Sequence, residues 1–213
     1  MRPYLFLALL FLLCTCAPAA EAEPTVVTAQ LRYQERSKTL SAEVAVRPDY
    51  PTRPTLFNDA MEPRLQAGTG SYRSKREMAF PASVRLGIPT GAPDERTELK
   101  VSFHPVGLDS LPRSLRAGAA YRFPVGSAPL APGENLILFL EPTDRSAPRQ
   151  FLLEGPTVSA DFQLPAPATK NIPPGTYGAY LIKQQLLRDT LPGVIASVQT
   201  EYFTRTVDVR VTE

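Results

Sequence analysis

Hydrophobic and polar residues alternate along much of this chain, in runs of strand length. In the first half, alternating runs at 27–33 and 40–46 flank a polar turn at 35–38, and further runs follow at 84–88 and 99–103. Successive side chains of a strand point to opposite faces, so a run of this kind predicts a half-buried strand. The first two runs, joined by a short turn, predict a hairpin.

The second half contains the clearest series of such runs, each closed by a turn rich in Pro, Gly or Asp. They lie at 135–140, 157–164, 175–183, 195–202 and 204–211. Together with shorter runs, they predict seven strands at a spacing of about 8–12 residues, which is typical of a β-sandwich. Residues 184–193 interrupt the series, and we expect a looser helical or disordered excursion there.

Residues 106–118 carry no alternation and are the best candidate for a domain boundary. The pattern therefore predicts a β-sandwich at 24–105, a connector at 106–118 and a second β-sandwich at 119–213. A leader and tether occupy residues 1–22. The expected fold is all-β, with two consecutive antiparallel sandwiches.

Composition supports strands over helices. The chain has 23 prolines among 213 residues, about double the average usage of about 5 %. Proline interrupts helix interiors and is tolerated at strand edges and turns. The net charge is +2 with both signs interspersed, so there is no basic stripe of the kind that nucleic-acid binding requires.

The N-terminus has the features of an export signal. Arg2 precedes ten uninterrupted apolar residues at 4–13. A bilayer core needs about 20 such residues, so the run fits the hydrophobic region of a signal peptide better than a membrane span. Cleavage after Ala22, at the small-x-small pattern of residues 20–22, is one interpretation of how the leader ends.

The other interpretation is lipid attachment. The segment Leu13-Cys14-Thr15-Cys16 resembles a bacterial lipobox, with Leu13 in the matching position and Thr15 where the pattern has Gly, Ala or Ser. This resemblance implies that Cys16 is lipidated and becomes the first residue of the mature protein. Cys14 is the poorer candidate because large Leu13 precedes it. No cysteine follows Cys16, so an internal disulfide is excluded.

Two further segments carry a second resemblance. Residues 130–142 (LAPGENLILFLEP) and 172–183 (IPPGTYGAYLIK) resemble strands of bacterial immunoglobulin-like or fibronectin-like modules. With the leader, they make the chain similar to an envelope lipoprotein that carries such modules. The resemblance implies two immunoglobulin-like sandwiches and a lipid-anchored location, at the outer membrane or the periplasmic face.

The sequence shows no catalytic motif. The only histidine, His104, is expected on the exposed face of its strand, and no G-x-S-x-G, P-loop or G-x-G-x-x-G is present. We therefore expect no enzyme activity, no cofactor and no metal site. Acids that lie near each other in loops, either Asp59 with Glu62 or Asp94 with Glu95 and Glu98, leave a carboxylate-dependent hydrolase as a less favoured alternative.

Aromatic residues suggest where a ligand would be contacted. The chain has no tryptophan, and Tyr33, Tyr121 and Tyr177 fall on the apolar side of their strands. Tyr50 and Tyr72 are the two tyrosines expected to be exposed, and they mark a possible ligand-contact loop in the first unit.

These observations lead to one functional expectation and one main alternative. The expected function is that of a non-catalytic structural or interaction protein of the bacterial cell envelope, tethered to the membrane by its N-terminal lipid. The alternative is a soluble periplasmic or secreted module that binds glycans. The sequence names no protein or glycan partner.

Overall fold

Strands make up most of the structure, a computed structural model that describes residues 23–64, 70–90, 95–144 and 147–213. The leader, including Cys16, lies outside the described residues. One short helix, α1 (Ala166–Thr169), is present in the described part. The strands are β1 (Thr25–Gln34), β2 (Thr39–Arg47), β3 (Thr55–Leu56), β4 (Asp59–Ala60), β5 (Glu62–Pro63), β6 (Ser71–Glu77), β7 (Ser83–Pro89), β8 (Arg96–Ser102), β9 (Ser114–Arg116), β10 (Tyr121–Pro124), β11 (Glu134–Pro142), β12 (Arg149–Glu154), β13 (Asp161–Leu164), β14 (Gly175–Leu191), β15 (Val194–Phe203) and β16 (Val207–Thr212). The all-β prediction is confirmed.

A ten-stranded sheet forms the centre of the protein. Its main path runs β12–β11–β14–β15–β1–β2–β6–β5, and β16 pairs with both β14 and β9. β1 lies in the middle of this path, antiparallel to β2 and parallel to β15. The β1–β15 pairing extends over ten residues, from Thr25 opposite Val194 to Gln34 opposite Phe203. The two predicted units therefore share one sheet.

Two smaller sheets complete the β-sandwich-like arrangement. One has the order β4–β3–β7–β8, and the other pairs β10 with β13. Their buried residues and those of one face of the large sheet, which we call the inner face, belong to a single hydrophobic core. Aromatic contacts join the layers: the Phe80 ring lies 5.2 Å from that of Tyr33 and 5.4 Å from that of Tyr202, measured between centroids.

Alternation along β1 explains its central place. Residues 25, 27, 29, 31 and 33 are buried, while the residues between them are exposed or half-buried. Because β1 has a neighbour on each side, its inward residues are enclosed by β2 and β15 as well as by the opposing layer. Val27 and Leu31 are 0 % exposed, and burying a side chain of this size contributes roughly 1.5–3 kcal/mol.

Most of the predicted strands are confirmed, while two predicted segments differ from the structure. The run at 157–164 is a strand only from Asp161 to Leu164, and Val158 is 98 % exposed. The hairpin of β1 and β2 is present, and the runs at 135–140 and 195–202 lie within β11 and β15. The excursion predicted at 184–193 is wrong, because β14 continues to Leu191 and pairs with β15 until Leu191 lies opposite Val194. The polar residues Gln184 and Gln185 interrupt the apolar pattern of this strand. Its backbone is nevertheless paired with β15, and its outward face is solvated.

The predicted connector at 106–118 is part of the packed structure. Leu108, Leu111 and Leu115 are each no more than 3 % exposed, and β9 within this segment pairs in parallel with β16. The boundaries 24–105, 106–118 and 119–213, and the immunoglobulin-like character of each unit, stay predictions. The sheet and the core are nevertheless continuous across them.

Because the β1–β15 pairing joins the two predicted units in one sheet, we expect a single cooperative unfolding transition. Substitutions of buried residues in β1 should destabilise the whole protein. Leu31→Ala should lower the free energy of unfolding by roughly 2–5 kcal/mol, because it leaves a cavity at the sheet centre. Exposed Thr28→Ala, in the same strand, should change it by less than about 0.5 kcal/mol. Urea unfolding followed by circular dichroism measures both. Two separate transitions, with one unmoved by Leu31→Ala, would contradict the shared sheet.

Candidate functional site

A buried carboxylate, that of Glu134, is the central feature of the candidate site. Glu134 begins β11 and is 3 % exposed. Its Oε2 accepts a hydrogen bond of 2.9 Å from the backbone N–H of Ala131, three residues earlier in the turn. A buried charge is costly unless it is paired and hydrogen-bonded, so the partner of Oε1 decides whether the site is stable.

That partner is Lys183 on β14. Its Nζ lies 3.0 Å from Oε1 of Glu134, and its side chain is 11 % exposed. Register places Lys183 directly opposite Leu136, two residues beyond Glu134 and on the same inner face. Pairing two strands therefore brings both charges to one place, and each offsets the desolvation of the other.

His104 stands at the edge of this ion pair. It follows β8, its side chain is 58 % exposed, and its Nδ1 lies 3.6 Å from Oε1 of Glu134. The expectation of an exposed histidine is confirmed, although the residue lies just beyond its strand. No described serine or threonine hydrogen-bonds to His104, so the described residues do not assemble a serine–histidine pair of the kind used in nucleophilic catalysis.

The three side chains line a cavity of about 310 Å³. Most of its wall is apolar, with the hydroxyl groups of two serines among the exceptions. This volume is at the lower end of the range of small-molecule sites, which are typically apolar with a few polar groups that fix orientation. Residues that line the cavity include Val106, Val125, Leu130, Leu136, Ser127 and Ser159.

Charge and geometry at this cavity suit the binding of a small ligand. An ammonium group has three N–H donors, and among the described residues Nζ of Lys183 has one acceptor, Glu134. A ligand with an acceptor group and an apolar body would satisfy the remaining donors while covering the apolar wall. The described residues contain no group of three His, Cys, Asp or Glu side chains that could hold a metal ion.

A second buried carboxylate, that of Glu201, is fully engaged elsewhere. Its Oε2 lies 2.8 Å from the guanidinium of Arg32, and its Oε1 accepts hydrogen bonds from the amides of Gln184 and Gln199 at 3.1 and 3.0 Å. These contacts link β14, β15 and β1 across the outer face of the large sheet. With its oxygens occupied, Glu201 stabilises the sheet and is a poorer candidate for binding.

The predicted contact tyrosines are less open than expected. Tyr72 lies within β6 and is 7 % exposed, so the expectation that it is exposed is wrong. Its hydroxyl donates to Oδ1 of Asp49 at 3.2 Å, and burial, followed by the charge of Asp49, raises its pKa. Tyr50 is half-buried, with its hydroxyl 2.8 Å from Oγ1 of Thr25. Ligand contact by this loop stays a prediction.

Two of the acids considered for hydrolysis lie beside arginines, and Asp94 lies outside the described residues. Asp59 forms an ion pair of 2.7 Å with Arg76, and Glu62 lies 3.8 Å from Arg73. Glu98 is exposed on β8. Arginine partners keep the first two carboxylates as surface ion pairs, and the described structure adds no support to a hydrolase.

Aromatic rings on the outer face cover one another. The rings of Phe139 and Tyr180 are stacked at 4.9 Å with an interplanar angle of 2°, and the guanidinium of Arg32 lies 5.2 Å from the centre of the Phe203 ring. Sugars bind to open ring faces, and each of these contacts covers one face of the ring concerned. Burial, with a hydrogen bond to Glu141, raises the pKa of Tyr180 to about 12.

The sequence contained a signal for the ion pair that the pattern analysis missed. Glu134 is in phase with the inward residues Leu136 and Leu138, and Lys183 is in phase with Leu181. A charged residue on the apolar face of a strand must be either neutralised or paired. The two residues lie far apart in sequence, so only strand register could reveal that they pair with each other.

No protein-family model matches the chain, and no curated protein matches it. The geometry of the site is therefore the guide to its function. Within the described part of the chain, no helix is long and apolar enough to cross a membrane.

Removal of both members of the ion pair should destabilise the protein by less than the sum of the two single removals. Lys183→Met and Glu134→Gln should each cost roughly 3 kcal/mol, because each leaves the other polar group buried without its partner. The double variant should cost less than the sum by roughly 0.5–3 kcal/mol. Urea unfolding measures the cycle.

Glu154→Gln supplies the matched control, since Glu154 is an exposed acid on β12. It should change the free energy of unfolding by less than about 0.5 kcal/mol. Additive losses for the two single variants would show that the pair does not act as a unit.

Proposed function

We propose that this chain is a non-catalytic binding protein of a bacterial cell envelope, tethered to the membrane through a lipid on Cys16. The observation that carries the binding role is the Glu134–Lys183 pair at the wall of an apolar cavity. Buried ion pairs contribute little net stability compared with apolar packing, so a pair beside an open cavity is better explained by recognition of a ligand.

The position of the first described strand supports the tether. β1 starts at Thr25, which is 1 % exposed, and Thr25 N–H donates to the carbonyl oxygen of Gly193 at 2.8 Å. Residues 17–24 alone separate Cys16 from this strand. Their maximum reach is about 30 Å, at ~3.3–3.6 Å per residue. A lipid on Cys16 would therefore hold the central strand, and with it the whole sheet, close to the bilayer.

Two alternatives have less support. A soluble periplasmic or secreted glycan-binding module would be expected to present open aromatic faces, while Tyr72 is buried and the rings of Phe139 and Tyr180 stack on each other. A carboxylate-dependent hydrolase would need two free acids, while Asp59 and Glu62 each have an arginine nearby.

Metabolic labelling tests the tether. The full chain, expressed in a bacterium supplied with labelled palmitate, should incorporate label, and Cys16→Ala should abolish it. Cys14→Ala is the matched control and should retain the label. Mass spectrometry of the mature N-terminus should find modified Cys16. An unmodified N-terminus at Glu23 would favour the secreted alternative and contradict the tether.

Ligand-observed NMR tests the binding role. A set of fragments that combine a small apolar group with a carboxylate or amide should contain binders, because Lys183 retains hydrogen-bond donors beside an apolar wall. Ala160→Phe should abolish their binding by filling the cavity that Ala160 lines. Glu154→Gln should leave binding unchanged. Equal binding to Ala160→Phe would place the ligand outside the cavity.

A further inference from the structure

One end of the large sheet exposes an aliphatic pair. Val26 and Ile195 are each 46 % exposed, and they lie directly opposite each other in the parallel register of β1 and β15. Both point away from the core, since their neighbours Val27 and Val194 are buried. Adjacent aliphatic side chains that are half exposed lose favourable burial unless something covers them.

Two arginines flank this pair on either side. Arg47 of β2 lies opposite Val26, and Arg188 of β14 lies two residues from Thr190, which is opposite Ile195. Both are exposed, and neither makes an ion pair with another described residue. Arg188, Val26 and Ile195 line the same shallow depression, together with Asp189. We call Val26, Ile195, Arg47 and Arg188 the basal surface.

The basal surface is also where the N-terminal segment joins the body. Val26 is the second residue of β1, and residues 17–24 are all that separates Cys16 from that strand. A lipid at Cys16 would keep this end within about 30 Å of the bilayer. At that distance the local concentration of lipid is high, and even a small apolar surface is sufficient to set an orientation.

We propose that the basal surface rests on the lipid bilayer that holds the anchor, with Val26 and Ile195 at the acyl–headgroup boundary and Arg47 and Arg188 on anionic headgroups. This proposal depends on the tether proposed above and adds an orientation to it. Aliphatic residues flanked by arginines match the two parts of an anionic membrane interface, since basic side chains near the surface are attracted by its negative potential.

The opposite end of the same face has different chemistry. Leu152, 56 % exposed, belongs to the row that runs through Ile137 and Ile182 to Phe203. Phe203 is eight residues beyond Ile195 on β15, a distance of about 27 Å at ~3.3–3.4 Å per residue. The acids Glu35 and Glu141 lie near that end, beside Tyr180 and Phe203. Arg36 lines the same depression, so charges of both signs are present at that end. The proposed contact is end-on because residues 17–24 join the sheet at the other end.

An end-on orientation leaves the cavity accessible. Glu134 lies opposite Gln185, which in turn lies opposite Thr200, five residues beyond Ile195. That offset is about 17 Å along the strands, and the cavity opens on the inner side of the sheet. Membrane contact and ligand binding are therefore compatible.

The absence of tryptophan from the chain allows a direct test. Ile195→Trp and Leu152→Trp each introduce one fluorophore at an exposed position of the same face. The full lipidated chain is reconstituted in phosphatidylethanolamine–phosphatidylglycerol vesicles with brominated acyl chains, which quench tryptophan on contact. Flotation with the vesicles is measured first, followed by quenching relative to vesicles without bromine.

We expect quenching of Ile195→Trp that is about two or more times that of Leu152→Trp, as for a side chain at the interface. Adding Arg47→Gln and Arg188→Gln should reduce the quenching of Ile195→Trp. Equal quenching at both positions would mean that the protein lies flat, and would overturn the end-on contact. Blue-shifted emission without quenching would mean that a second copy or another protein covers the surface, and would also overturn it.

Flotation separates this proposal from the tether. If the chain floats with vesicles and Ile195→Trp is not quenched, the tether stands and the basal contact is wrong. If the lipid-modified fraction is absent and the chain does not float, both are wrong.

Discussion

The parallel pairing of β1 with β15 is the contact on which the rest of the structure depends. It joins an N-terminal hairpin to the strands of the C-terminal half over ten residues, from Thr25 to Gln34. Without it, the outer network of Arg32 and Glu201 would lose its partners, and the ring of Tyr33 would not stack on that of Tyr202 at 5.9 Å. A parallel pair needs a long connection, and here nearly the whole chain provides it.

This pairing also determines how the two proposed functional surfaces are arranged. The basal surface forms because Val26 and Ile195 meet in register, at the end of the sheet where β1 begins. The cavity forms on the other side of the sheet, where β11 and β14 bring Glu134 and Lys183 within 3.0 Å. One sheet therefore carries both proposed surfaces, the basal surface at one end and the cavity on its inner side.

Burial of the Glu134–Lys183 pair is the strongest sign of a selected function in the described structure. An apolar pair at these positions would satisfy packing with less desolvation cost. Glu201, by contrast, has its oxygens engaged by Arg32 and two glutamine amides and is explained by stability alone. The difference lies in what each carboxylate faces: Glu201 faces a side-chain network, and Glu134 faces a cavity with His104 at its edge.

Local pattern determined the all-β class and most strands, because alternation of apolar and polar residues depends only on whether a strand has one buried face. Proline content excluded long helices for an equally local reason. Only the tertiary structure decided the features that depend on contacts between distant segments of the chain. These are the continuation of β14 past Gln184 and Gln185, the packing of Leu108 and Leu111 into the core, the burial of Tyr72 and the pairing of Glu134 with Lys183. Each depends on which strands become neighbours and in what register, and that choice minimises the free energy of the whole core rather than of any one segment.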